Sequence, residues 1–359
     1  MLPLPKQIGS DHLLRVTDTG DQGLLLDPAF YERLPRLTGE NTSSEIRDSL
    51  RALAVRIDPC FPADPPQVCL KQLRIVWQIL RPNARGETET VDAALHSFYT
   101  LNDVQFNSLL TDLTIWKENL SSEGLPLQIH PAWAKDLDNS PALFAFQNIV
   151  KKYAGTKTLT RVTVMSVRNL GQTWGFVGAD ILNGKTNVMK IPRINANSQI
   201  FINQALRSNY FLGQITPMPG SINPPKTDLI SDTINNIITD SNTLRTEHED
   251  TLRDELKSIY HIENPKIFNP NTMDCVSCHA ANSARTWTFQ HRQDLDLNEI
   301  FKKYGYENLG FNLTNISAPS EANTFIIRAF GYFLNKPALS QRVINESAEV
   351  AQTLNQLKN

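Results

Sequence analysis

The sequence predicts an α+β fold, with an antiparallel sheet packed against helices over residues 1–220 and a mainly α-helical part over residues 221–359. Three observations predict it. Between Val68 and Ile191 several segments alternate polar and apolar residues with β-branched and aromatic content, separated by Gly and Asn turns, as in an antiparallel meander. Ala142–Tyr153 carries helical spacing among them. After Pro217, Pro219, Pro224 and Pro225 the texture turns polar and helical, which places a domain boundary near residue 221.

The elements follow in order. Residues 1–45 alternate Pro, Gly, Asp and Thr with short apolar stretches and read as an extended lead-in. Ile46, Leu50, Leu53 and Val55 suit a short helix or a helix-to-strand passage over Glu45–Ile57. Val68–Leu80 reads as a long strand, and residues 91–120 carry the spacing of two helices. Leu127–Ile129, Thr160–Arg168, Trp174–Leu182 and Asn187–Ile191 predict strands. Residues 228–261 and 295–359 read as mainly helical.

A chain of 359 residues is long enough for two domains, and 40% apolar with 20% charged residues supports a real core. With 35 basic and 37 acidic residues the net charge is −2, without the basic excess of a general nucleic-acid binder. No stretch reaches the ~18 consecutive apolar residues of a membrane span; the best, Phe325–Leu334, is broken by Arg328. Dinucleotide, Walker A, HExxH and GxSxG signatures are absent. Glu247, Glu249, Asp250, Asp254 and Glu255 read as the solvated face of the 228–261 helix, and Trp77, Trp116, Trp133 and Trp174 as core and sheet packing.

Four cysteines form two local pairs, which favours maturation outside the reducing cytosol. Cys60 and Cys69 bound a ten-residue loop, and a disulfide there adds about 2–3 kcal/mol by restricting the unfolded chain. MLPLPKQIGSDH lacks the basic and apolar regions of a secretion signal, so an exported form implies a leader already removed and a Met1 that is not native.

The other pair lies in Cys275-Val276-Ser277-Cys278-His279, a C-x-x-C-H pattern. Two thiols about one helical turn apart match two vinyl groups on one porphyrin edge, and the next imidazole reaches the iron. Asn269-Pro270-Asn271-Thr272 supplies a turn before it, and Ala280-Ala281 permits close packing after it. Three other readings stand beside this one: an ordinary local disulfide, a zinc site, and a thioredoxin-type pair. Zinc usually wants a second ligand pair nearby, and thiol redox a βαβ context.

CVSCH resembles the attachment site of c-type cytochromes. The resemblance implies one covalent haem c per chain, bound through Cys275 and Cys278 with His279 as proximal ligand. It also implies electron transfer with a redox partner protein, in the periplasm or at the outer membrane. Residues 1–220 would then serve docking or anchoring. The phrases QLRIVWQ, RVTVMSVRNLGQTWGFVGADI, CVSCHAA and IRAFGYF…ALSQRVINESA resemble uncharacterised secreted proteins or lipoproteins of predatory deltaproteobacteria. That likeness implies export, with room for a lipid anchor in the precursor.

Small soluble cytochromes place a methionine downstream as second axial ligand, and none follows Met273. The sequence offers Met218, held between Pro217 and Pro219; His291, with Trp287 and Phe289 nearby; and His248, spaced with Leu244, Leu252 and Leu256 on one helical stripe. His261 is similar, while His12, His96 and His130 lie far off in sequence. An open sixth position would instead suit a peroxidase or gas sensor, with Arg285, Arg292 or Arg328 beside it. A third reading is a secreted structural or binding protein in which CVSC is only a disulfide.

Overall fold

The computed structural model describes residues 1–9, 12–27, 29–30, 48–61, 69–91, 93–120, 129–134, 140–168, 173–194, 196–202, 232–244, 246–308, 310–311, 313 and 330–358. Met218, Arg328 and the boundary near residue 221 lie outside them, as does all but Ile129 of the strand expected at 127–129.

The chain is α+β. A short ribbon, β1 (Thr19–Gly20) and β2 (Gly23–Leu24), precedes β3 (Leu50–Phe61), β4 (Leu70–Pro82), β5 (Thr88–Thr90) and β6 (Ala94–Leu101). Helices α1 (Asp103–Glu118), α2 (Pro131–Ala134) and α3 (Pro141–Tyr153) follow, then β7 (Leu159–Arg168), β8 (Thr173–Leu182), β9 (Lys185–Val188) and β10 (Ser198–Ile202). Next come α4 (Asn235–Leu244), α5 (Glu249–Glu263), α6 (Cys275–His291) and α7 (Leu297–Tyr304). The hairpin β11 (Phe330–Phe333) and β12 (Lys336–Leu339) leads into α8 (Gln341–Lys358).

The main sheet runs β10-β8-β7-β6-β4-β3, every neighbour antiparallel, with β5 added to β4 and β9 to β8. Side chains alternate between its two faces. Leu73, Ile75, Trp77, Leu95, Tyr99, Val162 and Val164 join one core with α1, α3 and the lead-in. The opposite face carries Val76, Ala94, Met165 and Phe176, which pack against α4–α8 and β11–β12. Trp77 and Trp174 are buried, and Trp116 stacks on Trp133 with ring centres 5.6 Å apart.

Four sequence expectations change. Residues 94–101 form a strand rather than a helix, because Ala94, Leu95, Phe98 and Tyr99 are all buried and two covered faces mask the period of two. Residues 50–61 are likewise strand, with Leu50, Ala52, Leu53 and Ala54 buried on both sides. The 228–261 helix is interrupted before α5, where His248 takes a left-handed conformation (φ 55°). The last segment contains the β11–β12 hairpin between its helices. Gln78, fully buried on β4, fastens this hairpin: its Oε1 accepts from Tyr332 N at 2.6 Å and its Nε2 donates to Tyr332 O at 3.0 Å.

Candidate haem-attachment site

Helix α6 begins at the C-x-x-C-H pattern for local reasons. Asn269 starts a turn that includes Pro270, with Thr272 N and Met273 N both donating to Asn269 O. Asp274 is the N-cap, in extended conformation, and its carboxylate accepts from Ser277 N at 3.0 Å. Gln199 of β10 reinforces the start by donating to Asp274 Oδ2 at 2.8 Å and accepting from Val276 N at 2.9 Å. Val276, Ala280, Ala281, Ala284 and Trp287 are completely buried and seat the helix in its core.

Positions 275, 278 and 279 stand at i, i+3 and i+4, so the two sulfurs and the imidazole share one face of α6. That face opens on a cavity of about 1110 Å³, mouth included. Both thiols are unbonded, and burial pushes them up, Cys278 to about 11. Asp274 raises Cys275 further. The His279 ring centre lies 4.9 Å from that of Phe176 on β8.

The cavity floor is the second face of the sheet. Register places Val76, His96, Thr163 and Gly178 side by side across β4, β6, β7 and β8, and Ala94, Met165 and Phe176 in the next row. Phe330, Met273 and Met189 complete its apolar walls. Met273 Sδ accepts from Arg193 Nη1 at 3.1 Å.

Charge gathers at one end. Arg74, Arg161, Arg342 and Glu346 line the cavity. Arg342 Nε donates to Glu346 at 2.8 Å, Arg56 Nη1 donates to Glu346 at 2.9 Å, and Arg56 Nε reaches Asp58 at 2.7 Å. Burial raises the Glu346 carboxyl, but Arg342, Arg56 and Arg74 outweigh it and hold it at about 2. Burial lowers Arg74 to about 10, helped by the like charge of Arg56. Arg74 Nη2 lies 3.5 Å from Asp58 Oδ2. Arg161 pairs with Asp180 at 2.6 Å and with Asn271 at 2.9 Å.

Other sequence candidates fall elsewhere. His291 stacks on Trp287 at the far end of α6 (ring centres 5.2 Å apart), with Nδ1 3.0 Å from Trp287 O, and does not line the cavity. His248 is not on a buried stripe: its side chain is 59% exposed, beside Glu247. His261 pairs with Asp232 at 2.9 Å. Arg285 pairs with Glu263 and Arg292 with Asp294, both off the cavity. Glu255 is buried rather than solvated and accepts from Asn236 N, Asn236 Nδ2 and Ile237 N. Cys60 and Cys69 are disulfide-bonded.

Sequence reasoning missed His96, Met165, Met189, Arg74, Arg161 and Arg342 as cavity residues. The alternation of RVTVMSVR already put Arg161, Thr163 and Met165 on one strand face, the one available signal. Among the described residues, no group of three or more His, Cys, Asp or Glu side chains is arranged to hold a bare metal ion. No family model, curated protein or solved structure matches the chain.

Proposed function

We propose that the chain carries one covalent haem c and passes electrons, as an exported protein of the periplasm or outer-membrane surface. Cys275 and Cys278 would form the thioethers and His279 would be the proximal ligand. The observation that carries this reading is the common face of Cys275, Cys278 and His279, turned onto a largely apolar cavity with arginines at one end.

The residues fit the group. The floor residues Ala94, Thr163 and Gly178 are small, and Met189 lies over Gly178. Arg74, on the cavity wall 3.5 Å from Asp58, suits a carboxylate of the group, since guanidinium groups pair strongly with carboxylates. Arg342, by contrast, is already engaged by Glu346 and by the carbonyls of Ile262, Asn264 and Phe268. When bound, haem supplies a one-electron iron couple tuned by axial ligands and burial. The chain's own contribution is attachment, orientation and exclusion of water by Phe176, Phe330 and Met165. A thioredoxin-type pair is disfavoured, because it needs a depressed thiol and burial raises both of these.

On this reading the C-terminal part is a mainly helical haem-type domain and the sheet is its second wall as well as a docking element. The partner is a redox protein, with no nucleic acid involved and with room for a lipid anchor in the precursor. Among the described residues no helix is long and apolar enough to cross a membrane.

Protein matured with the cytochrome c assembly machinery should give a pyridine haemochrome spectrum and an intact mass raised by one haem. His279→Ala should shift the Soret band. An unmodified mass with Cys275 and Cys278 oxidised to each other would overturn the proposal.

A further inference from the structure

We propose that His96, on β6, supplies the second axial nitrogen to the haem iron; this rests on the haem reading above. His96 is half-buried and is, with His279, one of two imidazoles that line the cavity among the described residues. They come from opposite walls, His279 from the helix and His96 from the sheet.

The register makes His96 the donor of the floor. It stands in the row Val76, His96, Thr163, Gly178, flanked along its own strand by Ala94 and Phe98. Ala94 and Thr163 are short, while Met189 covers the floor at Gly178. His96 carries the longest ligand-bearing side chain in its row. Phe176 and Met165 form the adjacent row, and the His279 ring lies against Phe176, so both imidazoles address the same patch of sheet.

Three thioethers also line the cavity. Met273 Sδ accepts from Arg193. Met165 is buried with Phe176 in the cluster that Cys275 and Cys278 pack against, so it is the competing donor that the Met165→Leu variant tests. Met189 lies over Gly178 toward the sheet margin, where a Cβ on that glycine would meet its sulfur at 2.2 Å, and its N–H is bonded to Gly178 O. Two nitrogen ligands give a low-spin ferric iron with a potential below that of a His/Met pair.

The test uses holoprotein whose haem attachment has first been verified by intact mass. Wild-type ferric protein should give the near-infrared magnetic circular dichroism signature of two imidazoles. His96→Ala should lose the low-spin signal, gain carbon monoxide binding when reduced, and recover low spin on adding imidazole. His96→Met should replace the two-imidazole signature with the far-red band of an iron–thioether bond and raise the potential. Met165→Leu and Met189→Leu should leave the spectrum unchanged. A haem-loaded wild type that is high-spin or His/Met-ligated, or a low-spin His96→Ala protein, overturns the assignment while leaving attachment intact. Absence of haem on the wild type overturns both. If the alanine variant fails to fold, the His96→Met spectrum decides: a retained two-imidazole signature overturns the assignment.

Discussion

Gln199 and Asp274, both completely buried and 75 positions apart, are joined by a 2.8 Å hydrogen bond from the Gln199 amide to the Asp274 carboxylate. The same Gln199 side chain accepts from Val276 N. One residue of strand β10 thus fixes the N-terminus of the helix that presents Cys275, Cys278 and His279. The orientation of the motif depends on this clasp.

Replacing Gln199 with Leu should therefore leave the Val276 amide unsatisfied and take one of two donors from the Asp274 carboxylate, at a cost of about 1–3 kcal/mol. Denaturant unfolding should show the lower midpoint, and hydrogen exchange should show faster exchange of the Val276 amide. Unchanged stability together with unchanged Val276 protection would refute the clasp.

Arg342 and Glu346 tie α8 to β3 through Arg56. Glu346→Ala leaves Arg342 without its carboxylate partner and Arg56 with Asp58 alone, and breaking such a buried network costs about 3–5 kcal/mol. Because the folded Glu346 titrates near 2, below its ordinary value of 4.5, its contribution is complete above about pH 4.5 and fades as pH falls toward 2. Melting temperature measured from pH 6 to pH 2 should decline over that window, and the corresponding part of the decline should vanish in Glu346→Gln.

Glu255 has the opposite sign. Burial pushes it to about 7 despite the hydrogen bonds from Ile237 and Asn236, so its contribution is complete below about pH 4.5 and is lost as pH rises through 7. Glu255→Gln should flatten the stability profile between pH 5 and pH 8. A wild-type profile with the same slope as the variant would mean that Glu255 does not titrate there.

Reduction of the Cys60–Cys69 disulfide, or the double change Cys60→Ser with Cys69→Ser, should destabilise the chain by about 2–3 kcal/mol. Thermal unfolding with and without reductant measures this directly. The double variant should be insensitive to reductant.

Legibility followed burial. Strands β4, β7 and β8 and helix α3 could be read because a regular apolar set stands out in each, as Leu73, Ile75, Trp77 and Ile79 do on β4 although both its faces are buried. Strand β6 could not, since Ala94, Leu95, Phe98 and Tyr99 serve two buried faces and their spacing imitates a helix. His96 lies too far from His279 in sequence to be singled out there, a distance that the sheet register and the docking of α6 close. His248 was misplaced because a four-residue spacing ignores the left-handed turn that ends the repeat.

By itself the sequence determined the common helical face of Cys275, Cys278 and His279, the pairing of Cys60 with Cys69, and the alternation that sets Arg161, Thr163 and Met165 on one side of β7. Those are local properties, set by 3.6 residues per helical turn and two per strand repeat. Only the tertiary structure decided what that helical face meets. His96, Met165, Phe176 and Arg342 come together through strand register and through the docking of α6 and α8 on the sheet. No periodicity carries contacts between residues so far apart in the chain, because each depends on how separate elements pack.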